Sequence, residues 1–346
     1  MPKYAVLVEG HFDNLYAKTC NSLLRYKPQE VVCCIDSTNA GKTTNDVLNI
    51  GGDTPIVHSL ESALLFQPDT LLVGIVTEGG YLPQEFRLGV ISAITHGLNV
   101  VSGLHQFLND DEEFSSLAKQ YNVNLTDLRK PPDTPPFTKG SWKNRKKPVL
   151  LTVGTDCDSG KMTAAWELTQ ALINKRVRAT FVGTGQTGIL LSGSGVAVDA
   201  VISDFIAGVV EHEIDKVDND CDIIIVEGQG SLTHMAYSGV TLGLVHGAMP
   251  DLLLMCHEPS RAGDIYDHPI YPLSQTLGLY TNMVEIFKPC EYAGISLMTY
   301  RENEKTAKKT IQQTQEETNI PTEDLVRFAD GSIVDSVLAY LNKNNH

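Results

Sequence analysis

The sequence lacks the usual signs of a secreted, membrane or nucleic-acid-binding protein. Seven cysteines are spread over 346 residues, with no CxxC pair and no metal-ligand spacing. A disulfide scaffold or a zinc ribbon is therefore not expected. Cys33, Cys34, Cys221 and Cys256 fall in or beside apolar runs and read as small core residues. No apolar stretch is long enough to cross a bilayer. The opening MPKYAVLVEGHFDN has too short an apolar run for a secretory signal, so a cytoplasmic protein is expected. Positive charge is also scarce: the net charge is −15 and the pI about 5.0. Such a balance repels nucleic acid and anionic lipid. The one dense basic stretch, 143–147, lies in a proline-rich segment and reads as a solvated linker.

What is present fits an ordinary soluble globular protein. The chain is 42% hydrophobic and 20% charged, and its length suggests two domains. In the first part, apolar runs at 5–8, 31–35, 71–76 and 99–102 alternate with helix-like stretches at 15–25, 59–65 and 84–96. That rhythm predicts an α/β fold with a parallel, Rossmann-like sheet. Asp36 follows the second run, where a dinucleotide fold often places a ribose-binding acid. However, VEGHFDN supplies only Gly10 of the glycine fingerprint, so NAD binding is not supported. The segment KPPDTPPFTKGSWKNRKK, 130–147, reads as an irregular connection. We expect a Rossmann-like domain at 1–135, a linker at 136–147 and a second α/β domain, of P-loop type, at 148–346. In the second domain, strands are expected at 148–153, 179–182, 223–226, 252–255 and 293–297, with helices at 162–174 and 332–342.

The strongest local signal is PVLLTVGTDCDSGKMTAAWEL, 148–168. A buried strand enters a tight loop containing Gly154 and Gly160, and Lys161 follows at the start of a helix. This order suits a phosphate: backbone N–H groups, a helix N-terminus and a lysine converge on one point. Gly154, Thr155, Asp156, Ser159, Gly160, Lys161, Met162 and Thr163 are the expected cofactor-binding residues. The string departs from the Walker A pattern at two places. Thr155 stands at the first glycine position. Met162 stands where a hydroxyl normally coordinates Mg²⁺, which leaves Thr163 to do so if the helix begins one residue late. A second string, AGKTT at 40–44, resembles a Walker lysine–threonine, but the polar, glycine-broken residues after it predict an ordinary loop without a helix.

DIIIVEGQGS, 222–231, ends a strand in Glu227 and Gly228. A carboxylate there, about 70 residues after a P-loop, is a candidate magnesium ligand beside Thr163, and Gly228 lets a ligand approach the backbone. FVGTGQTGI, 181–189, contributes a polar loop with Gln186. Asp199 and Asp204 are candidate bases or metal partners, and they serve equally well as helix caps. His234 shares a loop with Glu227, which makes it the best placed of the later histidines His246, His257 and His268. Arg261 is a candidate contact for an anionic ligand or a solvated loop residue.

These strings carry a resemblance. GTDCDSGKMT with VEGQGS is similar to the dethiobiotin synthetase group of P-loop enzymes, chiefly over the second domain. The whole chain resembles a bacterial and archaeal family of unknown-function two-domain proteins, through GTDC…GKMT, TGQTG, DF.AG and EGQGS. That family includes D-glutamate N-acetyltransferases of the DgcN type. The resemblance implies acetyl transfer from acetyl-CoA to the amine of D-glutamate or a similar amino acid. Asp199, Asp204, Glu227 and His234 are then candidate bases. Lys161, Gln186 and loop N–H groups are candidate oxyanion donors. Two other readings stand beside it: an ATP- and magnesium-dependent ligase or kinase acting on a small carboxylate, and a non-catalytic nucleotide sensor. The expected partner is a small molecule, with no nucleic acid and no membrane, and symmetric pairing of copies is a reasonable expectation.

Overall fold

The computed structural model describes residues 1–13, 16–217, 219–264 and 266–344. It divides into two units, one holding Met1–Lys130 and the other Pro131–Gly188 and Ser194–His346; the short piece Ile189–Gly193 groups with the first.

In the first unit the order is β1 (Tyr4–Leu7), α1 (Lys18–Tyr26), β2 (Val31–Ile35), α2 (Thr44–Leu48), β3 (Ile56–Val57), α3 (Leu60–Ala63), β4 (Thr70–Val73), α4 (Gln84–Thr95), β5 (Asn99–Ser102), α5 (Glu112–Tyr121) and β6 (Leu125–Asp127). The sheet runs β3-β2-β1-β4-β5-β6, and its pairs are parallel. This is the Rossmann strand order. Strands β1 and β4 are buried along their whole length, which explains runs that are apolar throughout rather than alternating.

Asp36, just past β2, accepts from the Gly10 and Thr38 N–H groups, both at 3.1 Å, and from the Thr38 hydroxyl at 2.7 Å. Its carboxylate braces two loops, a structural use of the position that a dinucleotide fold reserves for ribose. Three expectations shift. The helix expected over 15–25 runs Lys18–Tyr26; Leu15, its expected first residue, lies outside the described residues. The run 71–76 leaves the ladder after Val73, although Ile75 remains buried. AGKTT does lead into a helix, contrary to expectation, but α2 has only five residues. Its N-terminus is closed by a capping box between Thr43 and Asp46, so no phosphate-facing N–H groups are left over.

In the second unit the order is β7 (Val149–Gly154), α6 (Lys161–Asn174), β8 (Ala179–Val182), α7 (Gln186–Ser192), α8 (Ile206–Val217), β9 (Ile223–Val226), α9 (Ser238–Ala248), β10 (Leu252–His257), α10 (Leu273–Glu285), β11 (Glu291–Leu297), α11 (Glu304–Thr318), β12 (Thr322–Glu323) and α12 (Ser332–Asn344). The parallel sheet runs β12-β11-β10-β7-β9-β8. Strand β7 is central and fully buried. One face of the sheet presents Val149, Leu151, Val153, Ile224, Val226, Leu253 and Met255 to a core that includes Val209, Val210, Leu244 and Tyr280. The segment before β7 is pinned rather than loose: Glu211 of α8 accepts from the Thr138 hydroxyl and from the Lys139 and Gly140 N–H groups. No helix among the described residues is long and apolar enough to cross a membrane.

Candidate active site

Parallel pairing puts the C-terminal ends of β7, β8, β9 and β10 along one edge of the second sheet, and the loop after β7 lies there. Its ends are held by backbone and side chain alike. Thr155 N–H donates to the Cys256 carbonyl at 3.2 Å, and the Thr155 hydroxyl lies 2.9 Å from His257 Nδ1. The Thr155 carbonyl accepts from the Thr233 hydroxyl at 3.2 Å. Tyr280 of α10, fully buried, donates to the Gly154 carbonyl at 3.0 Å and accepts from Leu232 N–H at 3.1 Å. The loop closes through Gly160, whose φ of +86° lies in the left-handed region where a side chain is disfavoured. Helix α6 then begins at Lys161.

Lys161 is buried. Its ammonium donates to the Asp156 carbonyl at 2.6 Å and to the Ser159 hydroxyl at 3.2 Å, both neutral oxygens. Burial pushes its pKa below the ordinary lysine value, against the opposing pull of nearby acidic groups. A cation placed this way at a helix N-terminus gains most from a ligand that brings negative charge. Met162 and Thr163 are half-buried in the first turn of α6. Because the helix starts at Lys161 and not one residue late, Thr163 is its third residue.

Glu227 follows β9 and is buried. Its Oε2 accepts from the N–H groups of Thr184 (2.9 Å) and Gly185 (3.2 Å), and its Oε1 accepts from Gln229 at 3.3 Å. The carboxylate thus anchors the loop that leads into α7, where Gln186 is half-buried. Gly228 N–H donates to the Thr152 hydroxyl at 2.8 Å. A Cβ on Gly228 would lie 1.8 Å from the Thr152 carbonyl oxygen and 3.1 Å from Lys161 Cδ. Only glycine lets β7 and the loop after β9 approach so closely beside the lysine.

Asp156 is buried and pairs with Arg261 at 2.8 Å. Arg261 also donates to the Cys157 carbonyl and lies 3.7 Å from Glu258, so it braces the loop. The buried His234 ring accepts from Ala236 N–H through Nδ1 at 3.2 Å. In the neutral ring the proton therefore sits on Nε2, 3.9 Å from Asp156 Oδ1 and 3.8 Å from Asp264 Oδ2. This arrangement makes His234 a proton donor at Nε2 rather than a ready base. Its ring packs against Tyr237 and Tyr266, with centroids 4.8 and 5.8 Å away. Asp264 Oδ1 accepts from Tyr266 and His268 N–H groups. Burial opposes ionisation of Asp264, but those bonds and the neighbouring histidines outweigh it and hold the carboxyl below its ordinary value. His257 is pushed down to about 4 by burial, with Arg261 adding to the effect.

Asp199 and Asp204 are both exposed, in single turns of 3₁₀ helix at Val198–Ala200 and Ser203–Phe205. Asp199 is near enough to Tyr237 to raise its phenol, after burial, Cys157, Tyr266 and Asp158. That puts Asp199 in the electrostatic neighbourhood of the phosphate loop. His246 packs edge-on against Phe287, and His268 is exposed beside Asp264. The sequence reading missed Thr152, Thr233, Asp264 and Tyr280. They lie far along the chain from the loop or inside an apolar strand, so only folding shows them.

Residues 136–334 match the DUF1611 P-loop domain of unknown function, and residues 37–131 match the Rossmann-like DUF1611_N domain. A crystal structure of a DUF1611 family protein from Anabaena variabilis covers 98% of this chain and 100% of its own, at 34% identity and a TM-score of 0.92. A protein named D-glutamate N-acetyltransferase from Tritonibacter scottomollicae is 36% identical over 331 residues, 94% of this chain and 96% of its own length. Another of that name, from Pseudoalteromonas sp, is 35% identical over 346 residues, 98% of each chain.

Proposed function

The chain belongs to the DUF1611 family of two-domain P-loop proteins, and we propose that it transfers an acetyl group from acetyl-CoA to the amine of D-glutamate or a similar amino acid. Two near-full-length relatives are named D-glutamate N-acetyltransferase, which supports the acetyl transfer and the acceptor. Within the site, the observation that carries the reading is Lys161: a buried ammonium at a helix N-terminus, bonded to neutral oxygens, followed by Met162. This arrangement suits the phosphates of CoA. Mg·ATP would meet Met162 where a coordinating hydroxyl belongs, and Glu227, the other candidate magnesium ligand, already accepts from two backbone N–H groups.

The acetyl donor supplies an activated thioester. The protein holds its phosphates with Lys161 and the N–H groups around Gly160, and takes a proton from the attacking amine. Of the four candidate bases, Asp199 fits best. It is exposed and lies within electrostatic reach of the Tyr237 cluster. His234 carries its proton on Nε2, Glu227 anchors a loop, and Asp204 is exposed in a single turn of 3₁₀ helix. Transfer forms the amide C–N bond, breaks the C–S bond and releases the CoA thiol.

The test is thiol release from acetyl-CoA by the purified full chain at neutral pH, with and without D-glutamate. Release that requires D-glutamate and disappears in Lys161→Ala supports the reading. Absence of release across D- and L-amino acids overturns it and directs attention to ATP-dependent activation of a carboxylate.

A further inference from the structure

Beside the phosphate loop, the chain gathers a second set of groups that the transfer reaction does not use. Asp156, Cys157 and His234 each place a ligand-type atom within 4.8 Å of the others. The His234 side chain is fully buried, and its Nε2 has no hydrogen-bond partner among the described residues. An unpaired buried ring nitrogen is costly unless something meets it. It faces Asp156 Oδ1 at 3.9 Å and Asp264 Oδ2 at 3.8 Å.

These separations discriminate among occupants. They are too long for direct hydrogen bonds. A bridging water, with two legs of about 2.8 Å, would hold its partners roughly 4.5 Å apart. A tetrahedral zinc ion, with legs of about 2.0–2.2 Å to nitrogen and oxygen, holds its ligands roughly 3.3–3.5 Å apart, so separations of 3.9 and 3.8 Å lie nearer the zinc spacing than the water spacing and close onto it by a small inward shift. The two carboxylates are also oriented as metal ligands are. Asp156 gives Oδ2 to Arg261 and turns Oδ1 toward the histidine. Asp264 gives Oδ1 to two backbone N–H groups and turns Oδ2 the same way. Such outer contacts on ligating carboxylates are a regular feature of metal sites. A thiol and an imidazole in the set favour a borderline-soft ion over magnesium or calcium.

We propose that Asp156, Cys157 and His234 bind one divalent ion of the zinc class, with Asp264 Oδ2, 3.8 Å from His234 Nε2, drawn in to complete the set, and thereby fasten the phosphate loop to the loops that carry His234 and Asp264. Binding releases the Cys157 proton to solvent. It also moves the His234 proton from Nε2 to Nδ1, at the expense of the 3.2 Å bond from Ala236. Nδ1–H and Ala236 N–H are then two donors facing each other, so Ala236 must turn its N–H to another acceptor; a thiolate–imidazole metal set stabilises by more than that rearrangement costs.

Cys157 makes the test specific, because it is half-buried while the other six cysteines are buried. The full-length protein, stripped with a chelator, is titrated with cobalt(II). We expect one equivalent to bind with a thiolate-to-cobalt charge-transfer band, and zinc to displace it. Cys157→Ser, nearly isosteric and safe for folding, abolishes the band and weakens binding by about 10–100-fold or more; Asp264→Asn weakens it while the band persists. Zinc also protects one thiol of the native protein from a maleimide. The proposal fails if cobalt binds without a thiolate band, if Cys157→Ser binds as tightly as the parent, or if no stoichiometric binding occurs. None of these readouts involves acetyl-CoA, so this site can fail while the transferase reading stands, and the reverse.

Discussion

Acid should weaken this protein through His257 above all. His257 ends β10, and its Nδ1 lies 2.9 Å from the Thr155 hydroxyl. Burial first, and Arg261 second, bring its pKa down to about 4, against about 6.5 in an unfolded chain. Above the unfolded value both states are neutral, and the group contributes nothing that varies with pH. As pH falls below it, the unfolded chain takes up a proton that the folded protein refuses, so stability is lost until the folded ring also protonates. Each unit between the two values is worth about 1.4 kcal/mol, which gives a loss of about 2 kcal/mol by pH 5 and about 3 kcal/mol by pH 4. His257→Gln keeps a partner for Thr155 but cannot titrate. It should be up to about 1 kcal/mol less stable than the parent at pH 7, and more stable than the parent at pH 5. Urea denaturation of both proteins at several values between pH 7 and pH 5 reads the difference directly, and the shared carboxylates cancel in it. A difference between the two proteins that stays flat across this window would refute the reasoning.

Three further outcomes follow from the site. Lys161→Met should lower turnover by about 100-fold or more, yet leave stability unchanged or raise it by about 1 kcal/mol. The Asp156 carbonyl keeps the Ser159 hydroxyl as a partner at 2.9 Å, so no acceptor is orphaned; a large fall in the denaturation midpoint would contradict this. Gly228→Ala puts a methyl group into the Thr152 carbonyl and should cost about 3 kcal/mol, together with activity; a midpoint equal to the parent's would show that the strands part easily. Glu227→Gln sets an amide donor against Gln229 or against the Thr184 and Gly185 N–H groups and should cost about 2 kcal/mol. Loss of a magnesium dependence in that variant, rather than of stability alone, would instead mark Glu227 as a metal partner.

The phosphate loop is legible because it is local: the apolar strand Val149–Gly154 and the helix Lys161–Asn174 are separated only by the loop 155–160, which ends in Gly160. The alternation of runs likewise announced both parallel sheets. Hydrophobicity reports burial, however, and not pairing. Ile75 is buried beyond the end of β4, so the run 71–76 looked longer than its ladder. The two-residue strands β3 and β12 are too short to show any period. Polar α11 has no broad apolar stripe to find. The sequence makes Glu227 a candidate metal ligand, as a strand-end acid beside a P-loop, and does not show its role in anchoring a loop. Its bonds to Thr184 and Gly185 depend on β8 lying beside β9, which local patterns do not contain. The same holds for Tyr280, 126 residues from the Gly154 carbonyl that it supports.

The loop around Lys161 is held more firmly than a bare strand-to-helix turn requires. Gly154, Thr155, Asp156 and Cys157 each have a partner from outside the loop: Tyr280, His257 with Thr233, and Arg261 for the last two. These partners come from three separate segments of the chain, around Thr233, His257–Arg261 and Tyr280. Their contribution offsets the penalty of burying the Lys161 ammonium beside neutral oxygens, a penalty visible in its lowered pKa. A loop kept rigid with its cation under-compensated is preorganised for an anion: the phosphate meets charge and N–H groups already in place, and little ordering remains to be done on binding. The same rigidity accounts for Met162. On the proposed CoA reading, in which Met162 offers no ligand to a magnesium ion, recognition of the phosphates falls to Lys161 and the helix N-terminus, and a single buried lysine has to be held firmly in place.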